Sequence, residues 1–208
     1  MLEVSELHLW RGDRHLLRGL NLSLAPGEAM QLLWPNGTGK TSLLRTIAGF
    51  LYPESGHVRW QGQSIDQDRD AFHRDLAYQG HGTALKADLS ATENLRFACD
   101  LRHETSAAQI HDALDRVGLQ GLRPDLPVRS LSAGQQRRVS LARVMLWKAR
   151  LWLLDEPASN LDASGQQILR DLLERHLRGG GLALLAAHQA VPLDSAACRL
   201  SHSPGATA

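Results

Sequence analysis

Trp34-Pro35-Asn36-Gly37-Thr38-Gly39-Lys40-Thr41-Ser42 is the stretch whose reading decides the fold. The apolar run Met30 to Leu33 ahead of it reads as a buried strand, and Leu43, Leu44, Ile47 and Ala48 behind it recur at helical spacing. A strand, a Gly-rich turn and a helix start gather backbone N–H groups and the positive end of a helix dipole at one point, where a polyphosphate can sit. Gly37 and Gly39 let the backbone curl without Cβ clashes, Lys40 reaches the outer phosphates, and the Thr41 hydroxyl is placed to ligate magnesium. The stretch therefore reads as a P-loop, G-x-x-x-x-G-K-S/T, with every residue from Trp34 to Ser42 a candidate contact to bound nucleotide. The competing reading, an ordinary Gly-rich turn before a helix, explains neither the lysine nor the hydroxyl.

One position breaks the pattern: Trp34 stands where the first glycine belongs. Its ring must point either into the core beside the strand or out over the phosphates, and a position usually held by glycine leaves little room for the second. If the tryptophan holds the loop in a left-handed backbone, at a cost of about 1–2 kcal/mol, Trp34→Gly is expected to tighten ATP binding several-fold.

At 208 residues the chain is long enough for one substantial core with subdomains and too short for two full-sized domains. Lys plus Arg number 23 against 22 Asp plus Glu, so no basic excess points to nucleic acid. Cys99 and Cys198 form no C-x-x-C pair and read as two small buried thiols rather than a zinc site or disulfide. The first residues carry Glu3 and Glu6 and lack a basic start followed by an apolar run, so no signal peptide is expected, and no apolar run approaches the ~20 residues that span a bilayer. The expectation is a soluble cytoplasmic chain, or one held at a membrane through a partner.

In chain order, Leu2 to Leu9 and Leu20 to Leu24 alternate as antiparallel strands around a turn at Arg11-Gly12-Asp13, and Val58, Trp60 and Gly62 continue that sheet. Ala71 to Arg74 reads as a helical turn and Leu76 to Tyr78 as a strand. Ala91 to Arg102 and Ala107 to Val117 carry helical periodicity, Val139 to Trp147 reads as a further helix, and Ala163 to Arg178 as an amphipathic one ending at three glycines. Leu151 to Leu154 and Leu182 to Ala187 are short apolar runs of the kind that make core parallel strands. The reading is one α/β domain: a nucleotide-binding core over 1–82 and 144–203 with an antiparallel β edge, a helical subdomain over about 83–143, and a disordered tail after Ser201.

Three further stretches complete an ordered set: Leu131-Ser132-Ala133-Gly134-Gln135-Gln136-Arg137-Arg138, the strand running into Asp155-Glu156-Pro157, and Ser159-Asn160-Leu161-Asp162, followed by His188 after an apolar strand. Taken singly they have plain alternatives: Ser-x-x-Gln caps any helix, an acidic turn closes many strands, and a lone His at a strand end is usually a surface residue. Together, over nearly the whole chain, they resemble the ABC-transporter ATPases. The resemblance implies that Asp155 holds magnesium, that Glu156 polarises the attacking water and that His188 contacts the γ-phosphate. It also implies that Ser132 and Gly134 bind the γ-phosphate of nucleotide held by a second protomer, so that a homodimer sandwiches two ATP molecules. Phosphoryl transfer depends mostly on such positioning and electrostatics, with Lys40, Glu156 and His188 as the catalytic set.

Two positions depart from that family. His81 stands where a glutamine is usual, Gln79 being two residues early, and the adenine-stacking aromatic falls at Arg11, beside Trp10. Either Arg11, by its guanidinium plane, or Trp10, by its ring, can stack on a base. Arg11-Gly12-Asp13, Gln61-Gly62-Gln63, Gly80-His81, the Ser-Ala-Gly-Gln-Gln-Arg-Arg run and Ala187-His188-Gln189 together resemble the ATP-binding subunits of the bacterial haem exporter for cytochrome c maturation. That resemblance implies ATP and magnesium as cofactors, integral membrane permease subunits as partners, haem contacted only through the complex, and a peripheral place on the cytoplasmic face of the inner membrane. The competing expectations are a nucleotide-binding regulatory module that scarcely hydrolyses, for which Trp34 and His81 speak, and an ABC exporter ATPase for another substrate.

Overall fold

The structure, a computed structural model, describes residues 1–194 and 198–204. In chain order the elements are β1 (Leu2–Arg11), β2 (Arg14–Leu24), β3 (Ala29–Leu32), α1 (Lys40–Ile47), β4 (Ser55–Trp60), β5 (Gln63–Ser64), α2 (Arg69–Arg74) and β6 (Leu76–Gln79). There follow α3 (Ala91–Asp100), α4 (Ala107–Arg116), a 3-10 turn at Val128–Ser130, α5 (Ala133–Leu146), β7 (Leu151–Asp155), α6 (Ala163–Arg178), β8 (Leu182–Ala186) and β9 (Cys198–Ser201). They build a four-stranded antiparallel sheet in the order β2-β1-β4-β5 and a five-stranded parallel sheet in the order β6-β7-β8-β3-β9.

The parallel strands β3, β7 and β8 are buried on both faces, which is why β7 and β8 read as unbroken apolar runs. Leu151, Leu153, Leu182, Leu184 and Ala186 pack with α1 and the antiparallel sheet, and the alternate residues Trp152, Leu154, Ala183 and Leu185 pack with the helices on the other side. The first cluster holds Leu43, Leu44 and Ile47 of α1 together with Leu2, Val4 and Leu7 of β1, and the second holds Leu95 of α3, Ile110 of α4, Val139 of α5 and Leu173 of α6. A strand residue and its successor thus belong to different cores, and a one-residue slip of β7 would exchange them.

Three helices begin on reciprocal caps: Ser90 with Glu93, Ser106 with Gln109 and Ser132 with Gln135. The cap at Ser132 starts α5 at Ala133, earlier than the Val139 that apolar periodicity suggested, because the polar first turn is helical without being amphipathic. Periodicity gave no sign of β9, whose residues are only half buried at a sheet edge. Ser201 closes β9 just ahead of the tail expected to be disordered, of which residues 205–208 lie outside the described residues. Both cysteines are free; Cys99 is buried and Cys198 half-buried, its sulfur accepting from the Gln31 amide at 3.3 Å.

Candidate functional site

Because β3, β6, β7 and β8 are parallel, their carboxyl ends open at one edge of the sheet, the place where open α/β sheets bind ligands. The segments leaving those ends are the loop after Leu33, His81, Asp155-Glu156 and His188. They line a cleft of about 540 Å³ with Pro35, Asn36, Gly37, Gly39, Lys40, Thr41 and Ser42, roofed by Arg11, Arg14 and Leu16 from the β1–β2 hairpin. His81 therefore occupies the cleft, whereas Gln79 is fully buried and lines no part of it.

Gly39 caps α1 at φ 105°, a conformation L side chains rarely adopt, and a Cβ there would also stand 3.4 Å from Leu16 and Leu17. No side chain caps α1 and no acidic residue stands in its first turn, so the N–H groups of that turn face the cleft unclaimed. The Lys40 ammonium, nearly buried, donates to the Trp34 carbonyl at 2.5 Å and ties the two ends of the loop together; Thr38 Oγ1 donates to the Pro35 carbonyl at 2.7 Å. Thr41 Oγ1 donates to Asp155 Oδ2 at 2.9 Å, joining the helix start to the end of β7.

Trp34 takes the core-facing orientation of the two open to it and corrects the sequence reading on strain. Its ring is 2% exposed, packed in the core with Leu32, Met30 and Leu43, and Nε1 donates to Ser201 Oγ at 2.8 Å. It contributes to the loop only through its carbonyl, not as a side chain over the phosphates. Nor is its backbone among the left-handed non-glycine residues, so the strain expected at this position is absent.

Of the six left-handed non-glycine residues among the described residues, Glu156, with φ 49°, lines this cleft, and Asn160, with φ 62°, lies close by in sequence. The Glu156 N–H donates to the Ala186 carbonyl at 2.8 Å, and its own carbonyl accepts from Arg137 Nη2 at 2.8 Å. Those bonds fix the carboxylate, 16% exposed, with Oε1 3.3 Å from Nε2 of the exposed His188 ring. Arg137 is the buried residue behind the cleft that sequence reasoning passed over within a basic run. It is 2% exposed, and besides Glu156 it reaches the carbonyls of His81 at 3.2 Å and Ser159 at 3.4 Å. One guanidinium thus joins the His81 loop to the Glu156–Ser159 turn through three backbone carbonyls. The available signal was its place four and seven residues before Leu141 and Val144, on the buried stripe of α5.

Ser132 and Gly134 lie elsewhere. They line a separate cleft of about 520 Å³ with Gly118, Leu119, Gln135, Arg138, Asn160 and Asp162, and it shares no lining residue with the first. Ser132 Oγ accepts from the Gln135 N–H at 3.2 Å. A Cβ on Gly134 would meet the Asn160 carbonyl at 2.9 Å, so only glycine allows the start of α5 to lie this close to the 159–162 loop. The Gly165 N–H and then the Arg138 guanidinium, bonded at 2.8 and 2.6 Å, hold the Asp162 carboxyl below the usual carboxylate range.

Against known proteins, the pattern of the family described as "ABC transporter" matches residues 17–159, more than half of the chain. The chain belongs to the ABC transporter family. As a member it is an ATP-hydrolysing transporter subunit. It is 46% identical over 196 residues to the "Cytochrome c biogenesis ATP-binding export protein CcmA" of Vibrio parahaemolyticus, covering 94% of this chain and 95% of that one. To the protein of the same name from Methylococcus capsulatus it is 49% identical over 182 residues, 87% of each chain. The fold matches that of a Pyrococcus furiosus ABC transporter ATP-binding protein with TM-score 0.82 at 23% identity, over 97% of this chain and 96% of that one. It also matches the ATP-binding cassette MJ0796, described as dimeric and bound to ADP and Pi, with TM-score 0.78 at 22% identity, over 91% and 88%. Among the described residues of this ABC protein no helix is long and apolar enough to cross a membrane.

Proposed function

We propose that this chain powers an exporter serving cytochrome c biogenesis, hydrolysing ATP in the cleft between the Lys40 loop and the Asp155-Glu156 strand end. Its cargo would be haem, handled by integral membrane permease subunits rather than by this chain, which would sit peripherally on the cytoplasmic face of the bacterial inner membrane. The observation that carries the reading is the convergence, in one cleft, of Lys40, the Thr41–Asp155 pair and the Glu156–His188 pair. The likeness to the export proteins named above supports the biological setting. On this reading the chain is one domain, with its nucleotide core over 1–82 and 144–203 and a helical subdomain over about 83–143.

Each side chain then has a task. The open N–H groups at the start of α1 and the Lys40 ammonium bind the polyphosphate. Thr41 and Asp155 would hold magnesium: a hydroxyl and a carboxylate oxygen 2.9 Å apart are hard donors of the kind that ion takes alongside phosphate oxygens. When bound, the ion neutralises charge on the β- and γ-phosphates. Glu156, rigid on the strand end, accepts a hydrogen bond from the attacking water and aligns it with the γ-phosphorus; His188, beside it, donates to the γ-phosphate as charge develops there. Ser132 and Gly134, remote on the same chain, close over the nucleotide of a second copy across a two-fold axis. Co-purification from a haem-exporting membrane, followed by phosphate release from the isolated complex, tests the reading: ATP-dependent release that rises with haem supports it, and a complex whose release ignores haem argues for another cargo.

A further inference from the structure

Trp34 walls a cavity of about 280 Å³ that shares no lining residue with the nucleotide cleft. Its floor is apolar: Val4, Leu20 and Leu22 of the antiparallel sheet face Met30 and Leu32 of β3 and the Trp34 ring. Glu3, Ser5, Asn21 and Ser23 line it too, but they alternate with Val4, Leu20 and Leu22 along their strands, so they offer backbone while their side chains stand on the outer face. The cation on its wall is Arg199 of β9. Arg199 Nη2 donates to the Ser23 carbonyl and, at 3.2 Å, to Glu28 Oε2, whereas the buried Nε–H has no acceptor among the described residues. A buried guanidinium donor left without an acceptor is destabilising, and an acceptor placed in the cavity would remove that cost.

An apolar floor with one unsatisfied guanidinium N–H beside it is the chemistry of a site for a small organic acid. At about 280 Å³ the cavity lies below the roughly 300–1,000 Å³ of pockets that take drug-sized ligands, which limits the occupant to one ring or a short chain. We propose that this cavity binds a small apolar carboxylate, its carboxylate on Arg199 Nε and its apolar body against Met30, Leu32 and Trp34. Occupancy reaches the phosphate loop through one residue: the Trp34 ring walls the cavity, its carbonyl accepts from Lys40 Nζ at 2.5 Å, and the next residue, Pro35, lines the nucleotide cleft. Tryptophan in the glycine position of the loop supplies both the wall and the link. A ligand that holds the ring in place holds the Lys40 anchor with it, so the carboxylate and ATP bind with positive coupling. That coupling rests on the reading of the cleft as a nucleotide site; binding of the carboxylate itself does not.

Isothermal titration of the full purified chain with 3-phenylpropionate, 3-phenylpropanol and propionate tests it. The aromatic acid is expected to bind saturably with Kd below about 1 mM, and the alcohol and propionate at least about tenfold more weakly, since each lacks one half of the match. Arg199→Gln is expected to weaken the acid about tenfold and leave the alcohol unchanged. Leu22→Phe, which fills the cavity from a half-buried position and keeps Arg199, is expected to weaken both. With ATP and magnesium the acid is expected to bind about fivefold more tightly, and by reciprocity ATP binds more tightly with the acid. No saturable binding of the acid, or an acid-to-alcohol ratio that Arg199→Gln does not move, would overturn the site. Equal acid affinity with and without ATP, in a chain shown to bind ATP, would overturn the coupling. Acid binding by a chain that binds no ATP would uphold the cavity site and overturn the reading of the cleft.

Discussion

Trp34→Gly would remove the one side chain at which this loop departs from its own pattern. The ring it deletes is buried against β3, α1 and β9. A buried tryptophan takes about 150–250 Å² out of water, which at about 25 cal/mol/Å² is worth about 4–6 kcal/mol. That is an upper bound, since the unfolded chain already shields part of this surface, and tryptophan truncations in cores cost about 3–5 kcal/mol. Loss of the Nε1–Ser201 bond adds about 1 kcal/mol, and glycine at the strand end adds backbone freedom to the unfolded chain. The expected destabilisation is about 4 kcal/mol, a large share of the 5–15 kcal/mol that holds a domain folded. Trp34→Phe, which keeps most of the ring and loses the N–H, is expected to cost about 1–2 kcal/mol. Urea unfolding of the three proteins without nucleotide gives the numbers directly, and an ATP titration should show weaker binding, because the carbonyl that anchors Lys40 loses its support. Equal unfolding midpoints for the Gly variant and the parent would refute the packing role, and tighter ATP binding would revive strain as the explanation.

Glu156→Gln should retain ATP binding and lose at least about a hundredfold in turnover, while Lys40→Ala should weaken binding itself; equilibrium binding and phosphate release together separate the two. Arg137→Leu takes the guanidinium donor from the carbonyls of His81, Ser159 and Glu156, the last keeping the Ser159 N–H, so a loss of about 3 kcal/mol in unfolding free energy is expected, and a fall in kcat beyond that in KM if the arginine positions Glu156. Burial against Trp152 lowers the His176 pKa to about 4, outweighing the carbonyl bonds that raise it. The unfolded chain then takes up the proton first, so stability is full above about pH 6.5 and declines by about 3 kcal/mol as pH falls towards 4. In His176→Gln that part of the slope should be missing from unfolding curves measured across this range.

The phosphate loop, the apolar strands and α6 were legible because each depends on local pattern: glycines before a Lys-Thr pair, unbroken apolar runs, a helical stripe between Asp162 and three glycines. What tertiary packing decides was not. Trp34 was ambiguous until β9 supplied Ser201 as a partner, and β9, short and half exposed, carries no periodicity of its own. Arg137 looked like surface charge because its partners are three backbone carbonyls from two loops, which leave no mark in a sequence. Register settled the roof of the cleft: pairing Trp10 with His15 and Arg11 with Arg14 turns the ring onto its neighbour and leaves the guanidinium groups to the cleft.

On the proposed reading the Lys40 cleft and the Ser132 cleft, which share no lining residue, are half-sites that meet only between copies of the chain. Its most direct test is the mass in solution of Glu156→Gln, in which bound ATP is not consumed. With ATP and magnesium the chain is predicted to run as a dimer by light scattering, and to revert to monomer when Ser132→Arg is added. A mass that stays monomeric at saturating ATP, or a dimer indifferent to both nucleotide and Ser132→Arg, would contradict it.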